Sequence, residues 1–516
     1  MGGALGAGGG GADTMTYDYS GTLSGALTAN GEETSSSDSI SSTTSAENAA
    51  LVEAGGALAL DGATLTKSGD DTDGDACNFY GVNSILLAVG SGSTATVQNS
   101  SLSATSEGSN GIFATDGAQV LAKDTTISTT AGNSRGLDAT YGGSILAGGM
   151  TIETKGDHCA ALATDRGGGT ISVTDSSLQT AGSGSPLLYS TGDIEVSGVS
   201  GTSTGSQIAG MEGLNTILIN NSSLTSTNTD KTASDPVADA VIIYQSTSGD
   251  AESTTGESAT FQAANSTLSS SITSGSFFYL TNTSADIVLS HTTLDFDSDN
   301  ADLLMAAGND SNNWGSAGSN GATVKLTCIG EDLSGTISAD TISQASVYLT
   351  DGTTWSGTTE IAENADATQT TESPLSVAVD GTSTWTVTGG CTLSNLTVAE
   401  GGKVQDQDGK DVKIVDASGN VLRDGDSDVT VTVEGTYSTD YDSSEEGTLA
   451  QTADRSAYDE AFGTQTSFEM GDGSSSSAAS TDEAGTQEAA ASSESGSQES
   501  TSWWDQIVAF FKGLFG

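Results

Sequence analysis

The residues best suited to acid–base chemistry lie in one stretch, residues 135–166. This stretch contains Asp138, Asp165 and Arg166, together with Arg135 and His158. A glycosidase needs two carboxyl groups about 5–10 Å apart, one with a raised pKa, whereas a polysaccharide lyase uses a basic side chain beside carboxylates that hold calcium. Asp138, Asp165 and Arg166 are therefore candidate catalytic residues. The alternative is a surface ion pair beside a turn, and we favour it because no isolated cluster of this kind specifies a reaction.

A second acidic group has the alternating spacing of a calcium-binding loop. Asp71, Asp73 and Asp75 match ligand positions one, three and five of such a loop, but the twelfth position is Val82 rather than a carboxylate. Calcium binding by these three aspartates is one interpretation and a solvated, flexible loop is the other. Calcium is the only cofactor that the sequence indicates.

The cysteines and histidines indicate no zinc site. Cys77, Cys159, Cys328 and Cys391 form no CxxC pair, and the chain has only two histidines. We expect the cysteines to be buried as small apolar side chains, with a Cys77–Cys159 disulfide as the open alternative. No GxxxxGK[ST], GxSxG or HExxH sequence is present, so no other enzyme class is indicated.

The net charge excludes one class of partner. Against 13 lysines and arginines the chain has 68 acidic residues, which gives a formal charge of −55. A surface of this sign repels phosphate backbones, so we predict no nucleic-acid binding. Aromatic residues are only 5% of the chain, so the core must be built from small side chains.

A recurrent string sets the architecture. A polar residue, two hydroxyl residues and then Leu or Ile occur in NSSL at 99–102, DTTI at 124–127, DSSL at 175–178 and later copies. The apolar residue recurs after 25, 25 and 26 positions, at Leu102, Ile127, Ile152 and Leu178. Such a period indicates a repeat architecture whose units stack on one another.

Each unit contains two further β-like segments. One is IFAT at 112–115, LDAT at 137–140, ALAT at 161–164 and LLYS at 187–190, and the other includes 119–122 and 144–147. This alignment directs Asp138 outward, with Phe113 and Leu162 on the flanking coils. Three alternating segments in about 25 residues leave no room for βαβ crossovers. We therefore predict an all-β, three-faced parallel β-helix.

Some units are longer than the others. The additional residues lie near 68–79, 225–239 and 245–258, in polar stretches. Because insertions leave a solenoid at its corners, these loops are the expected carriers of specificity.

The flanking regions suggest the domain boundaries. We predict a Gly/Ser/Thr-rich N-terminal segment or cap at 1–46, the β-helix at 47–397 and a C-terminal β cap at 398–442. A disordered acidic linker at 443–500 and an amphipathic tail at 501–516 follow. The tail is too short to span a bilayer but suits contact with a membrane surface or a partner protein. No signal peptide is visible in the chain.

Several segments resemble those of a known group of proteins, both in amino-acid sequence and in their order along the chain. They are FYGVN (79–83), TDRGGG (164–169), GSPLLYSTGDI (184–194), IIYQSTSGDA (242–251), FFYLTNTSADI (277–287), WGSAGSNG (314–321) and STWTVTGGCTLSNL (383–396). Over roughly residues 45–399 the chain is similar to the secreted, adhesin-like, right-handed β-helix proteins of gut Gram-positive bacteria. The resemblance implies a pectin-lyase-like fold and an extracellular place, on the bacterial surface or secreted. It implies no reaction and no catalytic residues.

The sequence is compatible with three functions. The first is a non-catalytic, adhesin-like protein that binds a polysaccharide or a host surface glycoprotein through its faces and corner loops. The others are a calcium-dependent polysaccharide lyase or hydrolase and a structural surface spacer. An exposed aromatic strip would distinguish a binder from a spacer, and Phe113, Leu188 and Tyr279 suit one unless they face the core.

Overall fold

The computed structural model describes residues 15–71, 73–247, 251, 258–311 and 314–471. The predicted tail at 501–516 and residues 472–500 of the predicted linker lie outside the described residues.

The described chain consists mainly of short strands that alternate among three faces. Sheet A has 13 strands: Gly25–Asn30, Asn48–Glu53, Leu86–Val89, Ile112–Thr115, Leu137–Ala139, Leu162–Thr164, Leu188–Ser190, Ala209–Glu212, Asp239–Tyr244, Ser276–Thr281, Asp302–Ala306, Ile337–Asp340 and Thr359–Ala362. Sheet B has 15: Glu33–Ser36, Ala57–Asp61, Thr94–Gln98, Gln119–Lys123, Gly143–Gly148, Gly169–Thr174, Asp193–Ser197, Thr216–Asn220, Ala259–Ala264, Ser284–Ser290, Thr323–Ile329, Gln344–Thr350, Leu375–Val379, Asn395–Val398 and Tyr437–Ser438.

The third face is divided between two sheets. Sheet C has 10 strands: Ser39–Ser42, Thr64–Lys67, Ser101–Ala104, Thr126–Thr129, Thr151–Thr154, Ser177–Thr180, Ser200–Ser203, Ser223–Ser226, Thr267–Ser270 and Thr293–Asp295. Sheet D continues it with Asp332–Ser334, Thr354–Gly357, Thr384–Val387 and Lys403–Asp406. Sheet E, near the C-terminal end, contains Cys391–Leu393, Thr430–Val433, Lys413–Asp416 and Val421–Arg423. Helices α1 (Gly74–Tyr80) and α2 (Ser456–Phe462) and a short 3₁₀ turn (Ser443–Glu445) complete the described elements.

Each strand in sheets A to D pairs in parallel with its equivalent one coil away, so the protein is an all-β parallel β-helix. The predicted ladder is confirmed, because Leu102, Ile127, Ile152 and Leu178 stand in register on sheet C. All four side chains are buried. Burial of such columns in every coil supplies the hydrophobic stabilisation that a chain poor in aromatic residues needs.

The first residue of each recurrent string turns the corner between sheets B and C. Asn99, Asp124 and Asn265 have φ values of 50°, 48° and 49°, and Gly149 and Gly198 have 65° and 67° at equivalent corners. Asn, Asp and Gly tolerate this left-handed conformation better than other residues. The polar start of the string is therefore a backbone requirement of the corner.

The N-terminal boundary differs from the prediction. The strand Gly25–Asn30 already pairs in parallel with Asn48–Glu53, so the first coil lies within the segment predicted as a separate region at 1–46. Before it, Tyr17 and Leu23 cover an apolar patch on the outer side of sheet A.

The C-terminal boundary differs as well. Residues 443–471, here called the strap, run back along the outer side of sheet B. The backbone amides of Gly447, Ala450 and Ala453 donate hydrogen bonds to the side chains of Thr327, Gln262 and Glu195, which lie on successively earlier coils. Residues 443–471 of the linker predicted at 443–500 are therefore attached to the β-helix.

Candidate functional site

A cleft of about 270 Å³ lies on the outer side of sheet A. Tyr189, Gly210 and Ile242 form its floor, because they occupy adjacent positions in the outward column of the sheet. Gly210 leaves room for a methyl group there, since a Cβ atom would be in ordinary van der Waals contact with Tyr189, Gln207 and Ile242 at 3.5–3.6 Å. The volume approaches the lower end of the range of small-ligand sites, about 300–1,000 Å³.

Two insertions identified in the sequence contribute to the lining of this cleft. Helix α1, from the insertion at 68–79, contributes Asn78 and Phe79, and the insertion near 225–239 contributes Asp235. Thr232 anchors the second loop to earlier coils, since its hydroxyl oxygen accepts from Gly184 N at 2.9 Å and donates to Gly205 O at 2.9 Å. Two of the three insertions therefore border the same cleft, and their role in specificity stays a prediction.

The carboxylates of the predicted calcium loop contact the local backbone. Asp71 Oδ1 accepts from Asp73 N at 3.1 Å, and Asp73 Oδ1 caps α1 by accepting from Ala76 N at 3.2 Å. Asp75 lies in the first turn of that helix. Among the described residues, no group of three or more His, Cys, Asp or Glu side chains is placed to hold a metal ion. The predicted calcium site therefore receives no support from the geometry.

Two of the three candidate catalytic residues share one guanidinium group. Arg135 Nη1 lies 3.3 Å from Asp138 Oδ2, and Arg135 Nη2 lies 3.0 Å from Asp165 Oδ2. Burial raises the pKa of Asp138 although Arg135 opposes the shift. Arg166 points elsewhere and stacks on Phe79, with 3.8 Å from its guanidinium carbon to the ring centroid.

The environment of Asp138 differs from the sequence alignment in one respect. Its neighbours in the sheet are Phe113 and Ala163, and the expected neighbour Leu162 instead pairs with Leu137. Asp138 occupies an outward position of sheet A, as predicted, because Ala163 links it in register to Tyr189 of the cleft floor, but its side chain is fully buried. The cluster is therefore an internal ion-pair network behind the wall of the cleft, to which Arg135 and Asp165 contribute lining atoms.

Aromatic side chains also line the cleft. Trp314 stacks on Tyr244, with ring centroids 4.2 Å apart and an interplanar angle of 15°. The Tyr189 and Tyr244 hydroxyls donate to Glu212 Oε2 at 3.0 and 3.2 Å, and the Ser246 hydroxyl donates to Glu212 Oε1. This network orients both tyrosine rings beside the space that a ligand would occupy.

Two further carboxyl groups lie at the base of the 225–239 insertion. Burial raises the pKa of Asp235 to about 7. Burial and the proximity of Asp235 raise the pKa of Asp239. Gln207 Nε2 reaches Asp235 Oδ2 only at 3.4 Å, whereas both carboxyl oxygens of Asp239 have no hydrogen-bond partner. Buried carboxyl groups so weakly compensated are unfavourable when ionised.

The three residues proposed for an exposed strip are all buried. Phe113 and Leu188 are fully buried, and Tyr279 is 2% exposed. The aromatic residues that line the cleft are Phe79, Tyr189, Tyr244 and Trp314, and Tyr189 is adjacent to Leu188 in the sequence. Trp314 belongs to one of the segments of the resemblance, but no periodicity in the sequence identified it.

The cysteines are free and form no Cys77–Cys159 disulfide. Burial raises the pKa of Cys77 to about 12 and of Cys159 to about 11, which keeps both thiols protonated. Within the described ranges, no helix has the length and apolarity to cross a membrane.

A second cleft, of about 480 Å³, separates the strap from the corner between sheets B and C. Lys123, Asp175 and Tyr458 contribute to its lining. Lys123 pairs with the adjacent Asp124. Because only one aromatic ring lines this cleft, the cleft on sheet A is the stronger candidate site.

Comparison of the chain with protein-family models, with curated proteins and with solved structures finds no match.

Proposed function

We propose that the protein is a non-catalytic, adhesin-like β-helix that binds carbohydrate in the cleft on sheet A, outside the cell. The stacked pair of Trp314 and Tyr244 at the cleft carries this proposal. A sugar ring presents C–H groups of slightly positive charge to the negative face of an aromatic ring, while its hydroxyls bind polar groups at the edge. Tyr189, Gln207 and Asp235 are lining residues that carry such groups.

A hydrolase or lyase has less support. Arg135 holds both Asp138 and Asp165 in ion pairs, and Asp138 is fully buried. A general acid must reach a substrate oxygen at hydrogen-bond distance. Degradation of a uronate polymer by the wild type, lost in a stably folded Asp138→Ala or Arg166→Ala variant, would favour this alternative instead.

Glycan-array binding with the full chain tests the proposal. Trp314→Ala removes the stacked ring, and Gly210→Val fills the floor without removing any polar group. We expect both variants to lose at least about tenfold in affinity for the bound glycans. Tyr348→Ala is the matched control because this partly exposed tyrosine lies on sheet B. Absence of any glycan bound by the wild type, or equal binding by the cleft variants, would refute the proposal.

A further inference from the structure

The insertion near 225–239, here called the 225–239 loop, connects sheet C to sheet A and borders the cleft. Thr232 attaches the middle of the loop to two earlier coils, through hydrogen bonds of 2.9 Å with their backbones. The chain enters sheet A at Asp239, where the next strand begins. The segment between these two points contributes Asp235 to the lining of the cleft. This short segment is therefore the part of the loop whose position shapes the cleft.

Two carboxyl groups are buried at the end of this segment. Asp235 is 8% exposed and Asp239 is 4% exposed. Gln207 Nε2 lies 3.4 Å from Asp235 Oδ2, and both carboxyl oxygens of Asp239 are buried without a hydrogen-bond partner. Because two ionised carboxyl groups in such surroundings would lose their hydration and repel each other, the closed loop favours their neutral forms.

The groups around the pair supply no compensating ion pair within the described ranges. The charged and titratable groups on the neighbouring coils, on the following strand and in the loop itself are Arg135, His158, Asp165, Tyr244, Tyr279 and Lys231. Arg135 is paired with Asp165, and Lys231 is exposed. Burial raises the pKa of both tyrosines, which keeps them neutral. His158 is the residue of this set whose type changes charge near neutral pH.

Opening of the loop is linked to the release of protons. Burial raises the pKa of Asp235 to about 7, and burial together with the proximity of Asp235 raises the pKa of Asp239. A hydrated aspartate titrates near pH 3.9. The closed loop therefore retains protons that an open loop releases above about pH 4. Each further pH unit favours opening about tenfold per group until the closed form also titrates, which for Asp235 alone gives about a hundredfold between pH 5 and pH 7.

We propose that the 225–239 loop is a pH-sensitive side of the cleft, held closed in acidic surroundings by the neutral pair of Asp235 and Asp239 and released towards neutral pH. In the open loop both carboxyl groups are hydrated and ionised, and the cleft loses the lining that Asp235 provides. This inference concerns the regulation of the proposed binding site and rests on the proposed function for the class of ligand.

Hydrogen–deuterium exchange of the full chain at pH 5 and pH 7, corrected for the intrinsic exchange rate at each pH, measures the opening. In the wild type, the protection of peptides from residues 227–238 should fall at least about tenfold between pH 5 and pH 7. It should fall less in Asp235→Asn and in Asp239→Asn, and by less than about twofold when both substitutions are combined. Asp230→Asn, which changes an exposed carboxyl group of the same loop, is the matched control and should behave as the wild type.

Three results would overturn the inference. The first is equal protection of the wild-type loop at the two pH values. The second is an unchanged fall in protection when both substitutions are present, and the single variants decide this point if the combined variant does not fold. The third is a fall in protection that disappears in His158→Gln, which would assign the pH dependence to the imidazole.

A bound ligand separates this inference from the proposed function. A glycan found on the array, supplied at about a hundred times its Kd at pH 7, should raise the protection of the loop at least about tenfold, because it binds the closed cleft. Unchanged protection in the presence of a bound glycan would overturn the place of the loop in the binding site. Absence of any glycan ligand would reject the proposed function, whereas the pH dependence of the protection would still decide the inference.

Discussion

Replacing Arg455 with methionine should release the strap from sheet B. The Arg455 guanidinium is buried beneath the strap and donates to Ser172 O at 2.7 Å, Ser172 Oγ at 2.9 Å and Ala147 O at 2.9 Å. Its carbon also lies 4.5 Å from the centroid of the Tyr458 ring. Methionine retains much of the apolar stem and removes every one of these donors.

The expected loss follows from these contacts. A hydrogen bond to a charged group contributes about 1.5–3 kcal/mol to stability. The cost of desolvating the guanidinium group offsets part of the combined contribution of the three hydrogen bonds. Burial lowers the pKa of Arg455, which is the sign of that desolvation. We therefore expect Arg455→Met to lower the free energy of opening the strap by about 3 kcal/mol. This corresponds to about a hundredfold increase in the population of the open strap.

Hydrogen–deuterium exchange measured by mass spectrometry reports this opening directly, because solenoids and their attached segments open locally. Peptides from residues 443–471 should lose protection in Arg455→Met, while peptides from the inner strands of sheet C should not. Lys410→Met is the control, since this exposed lysine pairs only at the surface with Asp408. Unchanged protection of the strap in Arg455→Met would refute the reasoning and leave the packing of α2 on sheet B as its main attachment.

Two further substitutions test the corner geometry and a buried acid. Asn265→Val should lower the free energy of unfolding by about 1–2 kcal/mol, because the φ of 49° at this position is unfavourable for a branched side chain. Asn265→Gly should cost much less, since glycine adopts this conformation readily. Equal denaturation midpoints for the two variants would contradict this reasoning. Burial raises the pKa of Glu331 to about 8, so the folded state retains a proton that the unfolded chain loses above about pH 4. The stability of the wild type should therefore fall as pH rises from about 5 to about 9, and the stability of Glu331→Gln should fall less. Identical melting profiles of the two proteins across this range would exclude Glu331 as the source of the pH dependence.

The repeat period was sufficient to predict the fold because identical positions of successive coils make the same contacts. The string that begins at Asn99 or Asp175 recurs without change of length. The sequence alone therefore aligns the sheet C strands of successive coils. Its polar first residue marks the corner, and its Leu or Ile marks the core. Periodicity of this kind encodes the backbone path and the interior, and it carries little information about what binds outside.

The site was harder to predict because alternate residues of a strand face opposite sides. In the sequence alignment Ala163 and Tyr189 followed Ala139, but in the structure Thr164 pairs with Ala139. A slip of one residue reverses inward and outward positions. Leu188 was consequently proposed for the surface strip, whereas it is buried and Tyr189 lines the cleft.

The strap shows why composition alone misjudged the C-terminal region. Residues 443–471 are acidic and poor in branched apolar side chains, and such a segment cannot form a core of its own. It does not need one, because sheet B already offers an outward row in which Leu121 and Leu146 are covered by Tyr458 and Ala461. The apolar residues that order the strap therefore lie more than three hundred positions earlier in the chain. Outward-facing leucines on a solenoid face are thus a signal for a covering segment, and the place to look for it is the polar remainder of the same chain.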